Sequence, residues 1–127
     1  MKITSDKLLQ GCRVLVVEDE PVVAFYIVSA LRMAGAEVLG PAVSLERAIE
    51  LARAEHFDCA VLDVMLRDGF VFRAARLLRH QGAGLVFYTR YVGLVDRLQR
   101  ALPGAQVLPK PAPPELLVEA VRAACSR

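Results

Sequence analysis

Short apolar runs alternate with segments of helical periodicity along most of this 127-residue chain. The runs are rich in Val and Leu and occupy 13–17, 37–43, 59–63, 84–89 and 105–109. Each run is followed by a segment whose apolar residues recur every three or four positions, as on one face of a helix. Strands that alternate with helices favour a parallel sheet, because each crossover places a helix against a face of the sheet. We therefore predict an α/β fold with a doubly wound, five-stranded parallel sheet.

Turn and cap residues predict where several of these elements begin and end. Pro21 suits the first turn of a helix, and Gly35 suits its end. Ser44 is placed to cap the second helix with its hydroxyl. Gly40 and Pro41 interrupt ladder hydrogen bonding, which favours an edge position for the second strand.

Composition narrows the class of protein. Hydrophobic residues make up 55% of the chain and charged residues 24%, as in soluble globular proteins. The formal net charge of +2 and the lack of a dense Lys/Arg run do not favour a nucleic-acid partner. The uncharged stretch 21–31 is too short to span a membrane, and no apolar signal-peptide core is visible. We expect a cytoplasmic protein without a membrane partner, with an N-terminal extension at 1–11 and one domain at 12–127.

The three cysteines, Cys12, Cys59 and Cys125, lie far apart in the sequence and form no C-x-x-C motif. Their spacing supports neither a zinc knuckle nor a redox pair. We expect small, reduced, mostly buried thiols, as is usual in the cytosol.

Polar residues follow four of the predicted strands, at the point where each strand ends. In chain order they are Glu18, Asp19, Asp63, Thr89 and Lys110. Ligands of doubly wound folds bind outside the carboxyl ends of the strands, so we expect these side chains to converge at one rim. Three carboxylates at one rim suit Mg²⁺, which takes oxygen ligands and keeps positions open for phosphate oxygens.

The remaining polar groups suit phosphoryl transfer. Lys110 supplies a mobile positive charge for a phosphoryl oxygen, and Thr89 supplies a hydroxyl donor. Phosphoryl transfer depends mainly on positioning and charge neutralisation, which a cation, a lysine and a hydroxyl together provide. Asp63 lies between these groups and can act as a nucleophile that forms an acyl phosphate.

Four motifs in this order resemble those of a response-regulator receiver domain, the phosphoaspartate module of two-component signalling. They are VVEDEP with Glu18 and Asp19, VLDVML with Asp63, VFYTRY with Thr89, and LPKPAPPELL with Lys110. The resemblance covers nearly the whole chain and implies the flavodoxin-like (βα)5 receiver fold. It also implies a signalling switch and not an enzyme, since a receiver catalyses only its own phosphorylation and dephosphorylation.

The same resemblance implies roles for individual residues. Asp63 would accept a phosphoryl group from a histidine kinase. Mg²⁺ would be bound by Asp19, Asp63 and the backbone carbonyl of Met65, with Glu18 acting mostly through water. A cis peptide bond at Lys110–Pro111 would tighten the turn that aims the lysine.

The chain further resembles a stand-alone alphaproteobacterial branch of the family, nicknamed FAT GUY after its fourth-strand motif. It departs from that motif because Tyr88 and Arg90 replace the usual alanine and glycine. Val107 stands where an aromatic switch residue is usual. We therefore expect Arg90 and Tyr91, beside Thr89, to carry the response to phosphorylation. The alternative for Arg90 is a side chain that extends into water.

Phe25, Tyr26 and Ser29 lie on the flank of the first helix that faces away from the predicted core stripe. They are a candidate kinase-facing surface, and the alternative is a set of scattered exposed residues with no special role. The sequence names neither the kinase, the downstream partner nor the oligomeric state.

Two other functions stay open. One is a pseudo-receiver that binds partners without phosphorylation, although every charged member of the site is retained. The other is a Mg²⁺-dependent phosphohydrolase, which would need a second acid beside Asp63 and a substrate cap for which 127 residues leave no room. Asp63 could also be only a turn cap, and Glu18 and Asp19 only solvated loop charges. Glu20 is expected to interact favourably with the dipole at the N-terminus of the first helix and not to bind metal.

Overall fold

A computed structural model describes residues 8–125 of the chain. Its strands are β1 (Arg13–Val17), β2 (Glu37–Ala42), β3 (Cys59–Leu62), β4 (Met65–Leu66), β5 (Gly69–Phe70), β6 (Gly84–Thr89) and β7 (Gln106–Pro109). Its helices are α1 (Pro21–Met33), α2 (Leu45–Ala54), α3 (Phe72–His80), α4 (Val95–Ala101) and α5 (Pro114–Ala124), with a 3-10 helix at Val92–Leu94. None of the helices in this range is long and apolar enough to cross a membrane.

Five strands form one parallel sheet in the order β2-β1-β3-β6-β7. The chain moves outward from β1 to β2 and then returns to the other side of β1, so the topological switch point lies between β1 and β3. The predicted flavodoxin-like (βα)5 fold is therefore confirmed. β2 is an edge strand, as predicted, and Gly40 has a φ of +109° there. A Cβ at this position would lie 2.6 Å from the carbonyl oxygen of Val16, so only glycine fits.

Two apolar layers cover the two faces of this sheet. Along β1, Leu15 and Val17 face the layer beneath α2, α3 and α4, whereas Val14 and Val16 face the layer beneath α1 and α5. Both faces of the central strands are therefore dry. This two-sided burial explains why residues 14–17 of β1 are continuously apolar and do not alternate.

Local signals outside the sheet give a mixed result. Ser44 caps α2 as predicted, because its Oγ accepts a hydrogen bond of 3.1 Å from the backbone N of Arg47. The cis peptide at Lys110–Pro111 is also present. The β4–β5 hairpin around the turn at 67–68 was not expected, since strands of two residues leave no periodic pattern. The helix after it consequently begins at Phe72.

The prediction for the cysteines is wrong for one pair. Cys12 and Cys125 form a disulfide, although 113 positions separate them in the sequence. The fold brings the residue before β1 next to the residue after α5, which no sequence spacing reveals. Cys59 is free and fully buried in β3, as expected, and burial raises the pKa of its thiol to about 12.

Most of the predicted N-terminal extension, residues 1–7, lies outside the described residues. Leu9 belongs to the described part of that extension and packs in the apolar layer beneath α1 and α5. Its backbone N donates a hydrogen bond of 2.8 Å to the carbonyl oxygen of Ala34. The predicted domain boundary at residue 12 stays a prediction.

Candidate functional site

The carboxyl edge of the sheet gathers the polar residues that follow β1, β3, β6 and β7. Carboxylate oxygens of Glu18, Asp19 and Asp63 lie within 4.8 Å of one another. Glu18, Asp63 and Thr89 are buried, and Asp19 is half-buried. The structure thus brings the three predicted carboxylates together beside the topological switch point.

Lys110 is the cation inside this cluster. Its Nζ donates a hydrogen bond of 2.9 Å to Oδ2 of Asp63 and lies 3.0 Å from Oε1 of Glu18. The side chain is only 6% exposed. Burial opposes the charged form, but the hydrogen bond to Asp63 and the close contact with the Glu18 carboxylate outweigh it and raise the pKa of Lys110 above its ordinary value. Lys110 is therefore positively charged at neutral pH.

Glu18 is the most deeply buried acid of the cluster, with 1% exposure. Burial raises the pKa of its carboxyl, and the interaction with Lys110 opposes part of that rise. Its Oε2 accepts a hydrogen bond of 3.2 Å from the backbone N of Glu20. Its Oε1 makes no hydrogen bond of regular geometry within residues 8–125, although the Lys110 ammonium lies close to it. This oxygen thus has an ion pair but no regular hydrogen bond, so it can accept one from a further donor such as a metal-bound water.

The charge of the cluster can be counted directly. With Glu18, Asp19 and Asp63 ionised, three negative charges face the one positive charge of Lys110, which leaves −2. Hard oxygen donors with this residual charge fit a divalent cation such as Mg²⁺.

Asp63 lies between the lysine and an open cavity. Its Oδ1 accepts a hydrogen bond of 2.8 Å from the backbone N of Val64, while Oδ2 faces Lys110. The carboxylate borders an open cavity of about 410 Å³. Asp19, Met65, Arg90 and Tyr91 are among the residues that line this cavity. Met65 begins β4, and a role for its carbonyl as a metal ligand stays a prediction.

Thr89 and Arg90 have different neighbours. Thr89 is the last residue of β6, and its Oγ1 accepts a hydrogen bond of 3.1 Å from the backbone N of Tyr91. Arg90 pairs with Glu20 across the mouth of the cavity, with Nη2 lying 3.3 Å from Oε1. The same Glu20 oxygen lies 3.8 Å from Nζ of Lys110. Glu20 therefore takes part in the site's electrostatics, which was not expected, and its position in a run of three acids was the available signal.

Two tyrosines hold the chain directly after Lys110, and this support was not expected either. The hydroxyl of Tyr88 accepts a hydrogen bond of 3.1 Å from the backbone N of Ala112, and its ring centroid lies 5.8 Å from Nζ of Lys110. The hydroxyl of Tyr26 donates to the carbonyl oxygen of Ala112. Both sides of Ala112 are thus fixed, which positions the turn that carries the lysine.

The candidate kinase-facing surface is only partly exposed. Phe25 is 75% exposed, whereas Tyr26 and Ser29 are half-buried. Val22, one turn before Phe25, is 81% exposed and was not predicted. The apolar surface on α1 therefore centres on Val22 and Phe25.

Comparison with known proteins shows a consistent set of relatives. The family described as "Response regulator receiver domain" matches residues 14–122. Over 120 residues the chain is 33% identical to the transcriptional regulatory protein PdtaR of Mycobacterium tuberculosis, covering 91% of this chain and 57% of that protein. The chain spans 57% of PdtaR and 51% of the transcriptional regulatory protein YvrH of Bacillus subtilis, and only 12% of a third curated relative, the sensor protein TorS of Escherichia coli.

Solved structures show the same likeness. The non-phosphorylated HemR receiver domain from Leptospira biflexa superposes with a TM-score of 0.78 at 27% identity, covering 91% of this chain and 95% of that one. The receiver domain of the sensor histidine kinase PA1611 from Pseudomonas aeruginosa superposes with a TM-score of 0.77 at 24% identity, covering 91% and 98%. That structure has a magnesium ion coordinated in its active-site cleft.

Proposed function

The chain belongs to the response-regulator receiver domain family, and from this premise we propose that it is a phosphoryl-accepting switch in two-component signalling. Asp63 takes a phosphoryl group from a histidine kinase, and protein partners read the altered state. One observation carries the proposal. The buried Asp63 carboxylate faces an open cavity, with Lys110 at 2.9 Å and two further carboxylates within 4.8 Å.

The proposed location is the cytoplasm, and the finer resemblance to the stand-alone FAT GUY branch stays a prediction.

The proposed transfer uses an oxygen of Asp63 as the nucleophile. This oxygen attacks the phosphorus of a phosphohistidine and forms the P–O bond of an acyl phosphate. The P–N bond breaks, and its electron pair goes to the imidazole nitrogen. Lys110 remains beside Asp63 and neutralises part of the added negative charge. The hydroxyl of Thr89, at the end of β6, can donate a hydrogen bond to the phosphoryl group, because its oxygen acts as an acceptor from the backbone N of Tyr91.

The donor set fits Mg²⁺, which would supply the positive charge that lets a phosphoryl dianion approach the acidic cluster. Asp19, Asp63 and the carbonyl of Met65 would hold the ion, with Glu18 acting through water. The residual charge of −2 and the Glu18 oxygen that can accept from a metal-bound water support this assignment. The magnesium ion in the PA1611 receiver domain is a parallel in a protein of the same fold.

Labelling with acetyl phosphate tests the proposal. We expect wild-type protein with Mg²⁺ to gain one phosphate per chain, measured by intact-mass spectrometry. Asp63→Asn should gain none, and a chelator should abolish labelling of the wild type. Asp96→Asn is the matched control, because Asp96 is an exposed aspartate on α4. Undiminished labelling of Asp63→Asn would contradict the assignment of the acceptor.

This labelling, together with a turnover assay on small phosphate esters, separates the alternative functions. A pseudo-receiver would show no labelling under any condition. A Mg²⁺-dependent phosphohydrolase would turn over small phosphate esters many times per chain. A phosphoryl-accepting switch shows single labelling and no such turnover.

We further propose that the histidine kinase approaches over α1. Val22 and Phe25 are large, apolar and exposed there, and Tyr26 lies at their edge. An apolar cavity beside them extends to Tyr88 and Lys110, which connects this surface to the site. Phe25→Ala should slow transfer from a kinase that phosphorylates the wild type, while labelling by acetyl phosphate stays unchanged. Met33→Ala, at the far end of α1, is the control and should leave both rates intact.

A further inference from the structure

The amino edge of the sheet, opposite the acidic cluster, carries two sulfurs and a carboxylate. Cys12 lies directly before β1, and Cys125 lies directly after α5. Both are almost fully buried and are joined as a disulfide. A carboxylate oxygen of Asp58, which precedes β3, lies within 4.8 Å of both sulfurs. The proposed phosphoryl switch makes no use of this group, which we call the Cys12–Asp58–Cys125 cluster.

The backbone holds the carboxylate of this cluster in place. Oδ2 of Asp58 accepts a hydrogen bond of 2.9 Å from the backbone N of Arg13. The backbone N of Asp58 donates to the carbonyl oxygen of Arg13 at 2.8 Å, and its own carbonyl accepts from Gly84 at 2.9 Å. The starts of β1, β3 and β6 therefore fix Asp58 beside the two sulfurs, so the geometry does not depend on a mobile loop.

We propose that the Cys12–Asp58–Cys125 cluster binds a thiophilic divalent cation, with Zn²⁺ as the type, when the disulfide is reduced. Two thiolates and one carboxylate are ordinary zinc ligands, and water completes four-coordination. Mg²⁺ does not compete, because it prefers oxygen ligands and thiolates are soft. The two cation sites of the molecule are thus separated both by position and by ligand chemistry.

Reduction and metal binding are linked by a simple balance. A dithiol reductant gives two electrons and two protons to the disulfide, which becomes two thiols while the reductant becomes a disulfide. Zn²⁺ then displaces the two thiol protons to solvent and forms two Zn–S bonds. Sulfurs bound to one tetrahedral zinc lie about 3.8 Å apart, given Zn–S bonds of about 2.3 Å. The Cα atoms of Cys12 and Cys125 are 6.3 Å apart, so the change in sulfur position requires only side-chain rotation. The disulfide and the metal-bound state exclude each other.

Titration of one protein in two redox states tests the proposal. Reduced and oxidised wild type are titrated with Zn²⁺ against a chromogenic chelator, with Mg²⁺ in excess to occupy the acidic cluster. Co²⁺ serves as a second probe, since thiolate-to-cobalt absorption reports sulfur ligands. We expect one ion per reduced chain and none per oxidised chain. Equal binding by the two forms would overturn the proposal.

Variants assign the ligands. Cys12→Ser and Cys125→Ser should each weaken zinc binding beyond the roughly 10–100-fold loss that outer-shell changes cause. Asp58→Asn should weaken it at least about tenfold, while its amide oxygen still accepts from Arg13 and preserves the fold. Cys59→Ala is the matched control and should still bind one ion, because Cys59 is buried within β3 outside the cluster.

One further variant separates the two cation sites. Asp63→Asn should bind zinc as the wild type does, so this proposal holds or fails independently of phosphorylation. Loss of zinc binding in Asp63→Asn would place the ion in the acidic cluster and overturn the inference. Retention of full affinity in Cys12→Ser would do the same.

Discussion

Replacement of Lys110 by methionine removes the only cation in contact with the buried acids of the site among the described residues. Nζ of Lys110 lies 2.9 Å from Oδ2 of Asp63 and 3.0 Å from Oε1 of Glu18. Methionine has a similar length and no charge, so the change tests electrostatics more than packing. It leaves two buried carboxylates without their lysine partner.

The magnitude follows from the burial of the pairs. Removing one partner of a buried ion pair typically costs about 3–5 kcal/mol, because the other charge stays buried and unpaired. Lys110 serves two such carboxylates, but Glu18 can escape part of the penalty by taking up a proton, since burial already raises its pKa. We therefore expect Lys110→Met to lower the free energy of unfolding by about 3–5 kcal/mol at neutral pH without divalent cations.

The loss should depend on pH in a defined direction. A carboxyl whose folded pKa is raised binds its proton more tightly in the folded state, so stability falls as pH rises from the ordinary value of 4.5 through the folded pKa. Without Lys110 the pKa of Glu18 in the folded protein rises further. The pH range over which stability falls therefore extends to higher pH. The difference in stability between wild type and Lys110→Met should therefore be largest at neutral pH and shrink toward about pH 5.

Urea denaturation followed by circular dichroism, at a series of pH values, measures these differences. Arg122→Met is the matched control, because Arg122 forms an exposed pair with Glu119 at 3.6 Å. Exposed pairs contribute about 0–1 kcal/mol. If Lys110→Met destabilises the protein no more than Arg122→Met, the reasoning from burial is refuted. A loss that stays constant on acidification would refute the role given to Glu18.

Three further predictions concern the cation and the phosphorylated state. Millimolar Mg²⁺ should raise the melting temperature of the wild type by mass action, and should raise that of Asp19→Asn much less. Scanning calorimetry measures both shifts, and equal rises would count against Asp19 as a ligand. Phosphorylation should change hydrogen exchange more in 89–95 than in 105–109, because the new dianion meets the residues after β6; the reverse pattern would be contrary to this account. Acyl phosphate decay should be slow, since Met65 and Tyr91 are bulky, border the cavity and carry no carboxylate or amide that would orient a water for hydrolysis. Decay should quicken about tenfold in Met65→Asn or Tyr91→Ala if the barrier falls by about 1.4 kcal/mol. Fast wild-type decay that neither substitution alters would rule out this shielding.

The alternation of strands and helices was readable from sequence because the sheet is buried on both faces. Two-sided burial makes runs such as 14–17 and 85–88 continuously apolar, and the helices between them keep one apolar stripe. Chain order and right-handed crossovers then bring the strand ends to one rim, which is why the sequence alone predicts that Glu18, Asp63 and Lys110 lie together. The helix cap at Ser44 could be predicted because it is a local contact, in which the hydroxyl accepts from a backbone N only three residues away.

Contacts between side chains on separate elements were decided by the tertiary structure alone. Arg90 meets Glu20 from 70 positions away, Tyr88 supports Ala112 from 24, and Cys12 meets Cys125 from 113. Patterns along a chain report the burial and backbone preferences of sequence neighbours. They do not report which two remote side chains meet, because that depends on how the sheet twists and how each helix is rotated against it. The sequence by itself therefore determined the sheet and the rim on which the acids lie, whereas packing determined the pairing of Glu20, the support of the lysine turn and the disulfide.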